Sequence, residues 1–287
     1  MVRDTDPGYF PRGESVLRRV HGAKVVGFIY GQRALLLQAT QPLAFTGLIA
    51  NTDGLRAPFA RLARTAKTME RIWFGTRAEA DQITARVRRA HSRVSGSIDR
   101  DAGPHPAGST YRANDPEFLL WILACLADSA EVTYEAFVRQ MSAAERERFW
   151  QDYLLLGELF GLSREHAPAT HSEFRTWFAG RMASDDLFVT EEARELGRRV
   201  AFDLPVPASR RPGLAATNLA VLGLVPPRVR ELYGLSWGSA QEAAFRALAA
   251  SSRAGARITP ARLRRGSCAR DYDVVARTEA QRLAAAA

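Results

Sequence analysis

Residues 57–96 constrain the fold of this chain more than any other stretch, because they carry the pattern of two helices joined by a tight turn. Over 57–74, apolar residues recur at helical spacing after a proline suited to a first helical turn. Gly75 ends this helix, and Thr76 with Glu79 three residues later forms a capping box that opens the next one. The stretch therefore predicts a helical hairpin.

The second helix of this predicted hairpin runs to about Val94, with Gly96 as its stop. His91 lies within the stripe that the helix would bury, rather than among the arginines. An imidazole turned inward needs a partner, which makes His91 the first candidate for a functional side chain. The predicted buried stripe consists of Ala80, Ile83, Val87, Ala90 and Val94.

The first helix carries polar residues on one face. If the helices fold back at the turn, position 91 lies level with position 60, so that Arg64 is about one turn, ~6 Å of rise, from the level of His91. The hairpin could then present an imidazole and a row of cationic and hydroxyl groups to one negatively charged ligand. The residues at i, i+3, i+4 and i+7 that form this face are Arg64, Lys67, Thr68 and Arg71.

Lysine is rare in a chain that otherwise uses arginine, since Lys24 and Lys67 are its only lysines. A neutral amine can ligate a metal, whereas a guanidinium stays charged, so Lys67 is a candidate catalytic residue. An ordinary surface lysine is the alternative.

Helical patterns also fill the rest of the chain. Asp115 and Pro116 open a helix over 116–138 that is apolar on every side from Phe118 to Leu126, which is typical of a central buried helix. No stretch shows convincing alternation of period two. We therefore predict an all-α fold, a single large helical domain of about ten helices. Further capping boxes are predicted at Ser142 and Thr170.

Composition narrows the possible partners. The net charge of +9 favours acidic ones, but the basic residues are scattered among acidic residues without a nucleic-acid motif, so we expect no nucleic acid. Cys125 and Cys268 are too few for a disulfide framework or a zinc module. No run reaches the ~20 apolar residues of a membrane span and no signal-peptide core is visible, which predicts a cytoplasmic protein. The signatures of hydrolases, kinases and dehydrogenases are missing.

The hairpin also carries a family resemblance. The run Arg64-x-x-Lys67-Thr68, followed by a helical Val-Arg-Arg-Ala-His91-Ser-Arg-Val-x-Gly, resembles the MpaB-type or rubber-oxygenase catalytic domain family, whose best-known member is latex-clearing protein. The resemblance spans about residues 15–240. Other matching segments are Gly31–Gln38, Tyr111–Pro116, Gly157–Gly161 and Pro227–Leu235.

The resemblance implies a helical fold around a cofactor pocket for a b-type haem, with His91 as the proximal iron ligand. Arg64 and Thr68 would support the pocket, and Lys67 matches the position that can occupy the distal side in latex-clearing protein. His91 is the only matched histidine, and one protein ligand leaves a haem iron five-coordinate. Positions where the family usually has histidine hold Gln41, Asn51 and Leu123.

Arg33 lies beside an apolar run, where an arginine often neutralises a buried carboxylate or carbonyl group. In a haem protein it could instead bind a propionate. Arg33 therefore joins Arg64 and His91 as a candidate cofactor-binding residue.

Together these patterns predict a haem-b-dependent oxidoreductase of the oxygenase type that acts on a hydrophobic small molecule, with dioxygen as a candidate second substrate. Two alternatives stay open: a non-catalytic helical binding protein for an apolar ligand, and a haem enzyme of non-oxygenase type, such as an isomerase, cyclase or dehydratase. The predicted parts are a flexible arm (1–13), a helical haem-binding catalytic domain (14–255) and a C-terminal helical extension (256–287).

Overall fold

The computed structural model describes residues 8–50 and 57–286, and in this part of the chain the fold is helical apart from one small antiparallel ribbon. The predicted all-α class is confirmed. The ribbon pairs β1 (Ser95–Ser97) with β2 (Thr110–Arg112). The helices are α1 (Val16–His21), α2 (Lys24–Gln38), α3 (Pro42–Ala50), α4 (Pro58–Phe74), α5 (Arg77–His91), α6 (Pro116–Phe137), α7 (Ala143–Phe160), α8 (His171–Ala183), α9 (Glu191–Phe202), α10 (Arg211–Leu224), α11 (Pro227–Leu232), α12 (Ser239–Ile258), α13 (Ala261–Arg264) and α14 (Cys268–Ala286). Short helices such as α1, α11 and α13 raise the number above the predicted one.

Helix α6 is the centre of the core, as its apolar sequence predicts. Asp115 caps it by accepting a hydrogen bond from the Glu117 N–H group, and the helix packs along α2. Trp121 is fully buried and stacks on Phe178 of α8 with ring centroids 6.0 Å apart. Cys125 is also buried, and burial raises the pKa of its thiol well above the ordinary value. It is a small core residue, because a thiol with a raised pKa makes a poor thiolate ligand.

The predicted capping boxes form and define where helices begin. At the hairpin turn, Thr76 Oγ1 accepts a hydrogen bond from the Glu79 N–H group, and Glu79 Oε2 accepts one from the Thr76 N–H group, each at 3.2 Å. Helices α7 and α8 begin with the same motif. Helix α7 ends at Gly161 with φ of 97°, a left-handed conformation that favours glycine.

The end of α5 differs from the prediction. The helix stops at His91 instead of Val94, because the chain then turns into β1. Gly96 is not a helix stop: it pairs with Tyr111 in the ribbon, and a Cβ at Gly96 would lie 2.6 Å from the Tyr111 hydroxyl oxygen. Within the helix, Ala90 is exposed and Thr84 takes a buried position that the apolar stripe did not include.

The two ends of the described chain both pack near the hairpin. Phe10, within the predicted arm, is fully buried, and its carbonyl accepts a hydrogen bond from Arg18. The end of that arm therefore belongs to the core, while residues 1–7 lie outside the described part. Helix α14, in the predicted C-terminal extension, packs along α4.

Candidate functional site

The hairpin of α4 and α5 forms as predicted, and an ion pair across its turn indicates its register. Arg71 lies 3.3 Å from Glu79. In antiparallel helices with residues 71 and 79 level, residue 91 lies level with residue 59. This ideal geometry would put His91 about 7.5 Å of rise from Arg64, and the predicted closeness of the two side chains stays a prediction.

His91 is half-buried at the end of α5, on the helix face that also carries the buried Ala80 and Thr84. Desolvation lowers the pKa of its imidazole below the ordinary value, so the ring is neutral at pH 7. Its Nδ1 atom is buried and has no hydrogen-bond partner in the part of the chain that the structure describes. A buried polar atom without a partner destabilises a fold by about 1–3 kcal/mol. The predicted inward histidine is thus present, with a buried ring nitrogen that no described residue hydrogen-bonds.

The polar face of α4 carries the other predicted side chains. Arg64 and Lys67 are exposed, Thr68 is half-buried, and none of the three forms a hydrogen bond or ion pair with another described residue. Burial, and then the positive charge of Arg64, lower the pKa of the neighbouring Arg61 guanidinium. Arg64 and Lys67 thus carry positive charges without a counter-charge among the described residues, and such charges attract carboxylates.

These candidate site residues lie on the two helices of the hairpin and, within the described part of the chain, do not contact one another through hydrogen bonds or ion pairs. Among the described residues, no hydrogen bond or ion pair links His91 to Arg64, Lys67 or Thr68. A ligand between them would have to complete the site.

Of the positions where the family usually has histidine, two support the fold. Gln41 Oε1 accepts a hydrogen bond from the Leu43 N–H group at 3.3 Å, at the start of α3. Leu123 is buried in the core. Asn51 lies outside the described residues.

Arg33 is found away from the hairpin, in a buried network between α2, α6 and α8. Its guanidinium lies 2.7 Å from Asp128 and donates to Ser129 Oγ at 2.7 Å and to the Leu224 carbonyl at 2.8 Å. Arg175 of α8 pairs with the other oxygen of Asp128. These contacts agree with neutralisation of a buried carboxylate, whereas binding of a propionate by Arg33 stays a prediction.

A cleft of about 570 Å³ lies beside this network, between α6, α7 and α8. His171 lines it as the first residue of α8, and its Nε2 atom lies 3.0 Å from the buried carboxylate of Glu131. Arg146 joins Glu131 and Glu135, so the charges of the cleft largely pair with one another. A smaller cleft of about 180 Å³ lies against Arg88 of α5. His91 lines neither cleft.

His21 is a buried histidine that the sequence did not reveal. It stacks on Trp73 at 3.8 Å between ring centroids, and its Nε2 atom lies 2.7 Å from the Tyr153 hydroxyl oxygen. Its Nδ1 atom is buried without a hydrogen-bond partner among residues 8–50 and 57–286, and burial lowers the pKa of the imidazole to about 3. The one available signal was its place after Val20 on an apolar stripe, which does not distinguish a core histidine from a ligand.

The residues in 8–50 and 57–286 include no group of three or more His, Cys, Asp or Glu side chains that could hold a metal ion. A haem would not require such a group, because one protein ligand is enough for haem iron. Across the same residues, no helix is long and apolar enough to cross a membrane.

Comparison with known proteins decides the family. The family model described as the catalytic domain of ER-bound oxygenase mpaB/B' and rubber oxygenase matches residues 18–254, most of the chain. The chain belongs to this family. Membership indicates an oxygenase-type catalytic domain, and it confirms the resemblance seen in the sequence motifs. Helix α14 lies beyond the matched residues.

Relatives of this family member include two uncharacterised mycobacterial proteins. One is from Mycobacterium bovis and the other from Mycobacterium tuberculosis. Each is 27% identical over 206 residues, which cover 71% of this chain and 77% of the relative. No solved structure matches the chain.

The hairpin residues fit the haem that the family resemblance implies. His91 has a lowered pKa, which favours the neutral imidazole that binds metals, and one ring nitrogen without a hydrogen-bond partner among the described residues. The positive face of α4, with Arg64 and Lys67, suits the carboxylates of a haem.

Proposed function

We propose that this family member is a haem-b-dependent oxidoreductase of the oxygenase type, with His91 as the proximal iron ligand. One observation carries the proposal: the histidine in the family motif is half-buried, desolvation lowers its pKa, and its Nδ1 atom has no hydrogen-bond partner among the described residues. A bound haem supplies the iron at which oxygen chemistry takes place.

The side chains of the hairpin bind and orient the cofactor in this proposal. His91 provides one ring nitrogen, which desolvation keeps unprotonated. Arg64 pairs its fixed positive charge with a propionate, since a guanidinium matches the geometry of a carboxylate. Lys67 and Thr68 donate hydrogen bonds on the distal or propionate side, where they can hold a proton close to a reacting oxygen.

The proposed substrate is a hydrophobic small molecule, with dioxygen as the second substrate. The support is the family, whose described members are oxygenases and include rubber oxygenase. We expect one haem b per chain after reconstitution, and oxygen consumption that depends on an added unsaturated hydrocarbon.

A pyridine haemochrome assay and an oxygen electrode test this proposal on the full chain. The wild-type protein should bind haem and consume oxygen, and His91→Ala should do neither. His166→Ala is the matched control, because His166 is a partly exposed histidine outside the hairpin. Equal haem content and oxygen uptake in wild type and His91→Ala would contradict the proposal.

A second candidate function is a helical binding protein for an apolar ligand, without catalysis. It is favoured by the packing at Leu123, where an apolar side chain fills the core at a usual histidine position of the family. Binding of a hydrophobic fluorescent probe, with no haem retained after reconstitution, would select this function instead.

A further inference from the structure

Helix α14 fits into a groove that two glycines of α2 provide. Gly27 and Gly31 are one helical turn apart, as are Cys268 and Tyr272 of α14. A Cβ at Gly27 would lie 3.2 Å from the Cys268 Cβ atom, and a Cβ at Gly31 would lie 3.1 Å from the Tyr272 hydroxyl oxygen. Cys268 also donates a hydrogen bond to the Gly27 carbonyl at 3.1 Å. Larger residues at these glycines would push α14 away from α2.

Helices α4 and α14 also cap each other. The N-cap residue of α4, Ala57, has no side-chain oxygen to offer. Glu279 of α14 replaces it: its carboxylate accepts hydrogen bonds from the N–H groups of Ala60 at 3.0 Å and Phe59 at 3.5 Å. Glu279 is only 4% exposed. A buried carboxylate needs such partners, and the first N–H groups of a helix suit a negative charge.

At the other end of the α4–α14 pair, a carboxylate of α4 caps the start of α14. Glu70 of α4 accepts hydrogen bonds from the Ala269 N–H group and from the Ser267 hydroxyl group, each at 2.9 Å. Two carboxylates thus fix the antiparallel register of α4 and α14, one at each end.

The cap formed by Glu279 lies on the helix that carries the candidate propionate-binding residues. Phe59 and Ala60 form the first turn of α4, and Arg64 and Lys67 lie one and two turns further along the same helix. Helix α14 therefore holds the start of this helix, although α14 lies beyond residues 18–254, which the family model covers.

We infer that Glu279 is a positioning residue of the haem site and that α14 is an integral wall of the catalytic domain rather than an appendage. The inference rests on the proposed function for its link to haem. It assigns Glu279 the role of fixing the first turn of α4 so that Arg64 and Lys67 keep their place relative to His91.

Amide exchange on the haem-free full chain tests the positioning role. Glu279→Ala should speed exchange of the Phe59 and Ala60 amides about tenfold, because these N–H groups lose their acceptor. Glu279→Gln keeps one acceptor oxygen and should give an intermediate rate. Asp273→Asn is the matched control: it neutralises a carboxylate of the same helix that forms no hydrogen bond or ion pair with the described residues of α4, and exchange should not change. Unchanged exchange in Glu279→Ala would overturn the inference.

Haem titration followed by absorption separates positioning from general stability. Glu279→Ala should weaken haem binding about fivefold or more, with partial recovery in Glu279→Gln. Val221→Ala, a core change in α10, should lower stability without changing haem affinity. Equal losses of affinity in both variants would contradict the positioning role.

Absence of haem binding by the wild type would refute the proposed function, while amide exchange would still support or overturn the role of Glu279.

Discussion

The hairpin and the junction of α2, α6 and α8 both gather charged residues, yet they differ in how those charges are satisfied. At the junction, the carboxylate of Asp128 lies between Arg33 and Arg175, and each of the three has a partner. On the hairpin, Arg64 and Lys67 form no ion pair with described residues. Charges that are already paired hold the fold, whereas unpaired charges remain available to a ligand.

Asp128→Ala should produce the largest loss of stability in this comparison. It would leave Arg33 buried without a counter-charge, which destabilises a fold by about 3–5 kcal/mol. Urea denaturation measures the change. Arg175→Ala is the control and should cost less, because Arg33 keeps its partner and Arg175 is itself 42% exposed. A loss below about 1 kcal/mol for Asp128→Ala would show that the junction is not a structural ion pair.

His21 should dominate the response of stability to acid. The pKa of His21 is about 3 in the folded protein and near 6.5 in the unfolded chain. Between these values the unfolded chain binds the extra proton, so the free energy of unfolding decreases as the pH is lowered. The contribution at pH 5 is roughly 2 kcal/mol below that at pH 8. In the double variant His21→Phe, Tyr153→Phe, urea midpoints measured at pH 8 and pH 5 should lie closer together than in the wild type. An unchanged dependence on pH would mean that other groups control acid unfolding.

Thr76→Ala should weaken the turn of the hairpin without affecting the junction. Loss of a side-chain cap destabilises a helix by about 1 kcal/mol. Thermal unfolding should detect this change, and Thr76→Ser, which keeps the hydroxyl oxygen, should stay close to the wild type. If both variants lost the same stability, the hydrogen bond to the Glu79 N–H group would not be the cause.

Arg64→Ala and Lys67→Ala should have the smallest effect on stability, within ~0.5 kcal/mol, because both side chains are exposed and form no ion pair with a described residue. They should nevertheless weaken haem binding, in contrast to Arg86→Ala, which removes an exposed arginine from α5. Denaturation and haem titration on the same samples provide both numbers. A large loss of stability in Arg64→Ala would show that this arginine stabilises the fold, as the charges of the junction do, and would contradict its availability to a ligand.

The sequence predicted local features better than distant contacts. The hairpin turn, the caps at Thr76, Ser142 and Thr170, and the buried helix α6 could be predicted because each depends on neighbouring residues. The ribbon through Gly96 could not be predicted, because the glycine is required by the close approach of the Tyr111 ring, which is distant in the sequence. The carboxylate of Glu279 joins residues more than two hundred positions away, and no periodicity indicates such a contact.

The site shows the same limit. Its histidine and the cationic face of α4 followed from helical spacing, whereas the ion pair of Arg33 with Asp128 required the packing of α2 on α6. His21 went unnoticed because a single histidine on an apolar stripe carries no spacing pattern.

The absorption spectrum of reconstituted His91→Ala, with and without added imidazole, tests the central claim most directly. We predict a strong Soret band in the wild type, its loss or shift in His91→Ala, and its recovery when imidazole fills the space left by the side chain. An unaltered Soret band in His91→Ala, or no Soret band in the wild type after haem is added, would contradict the assignment of His91 as the iron ligand.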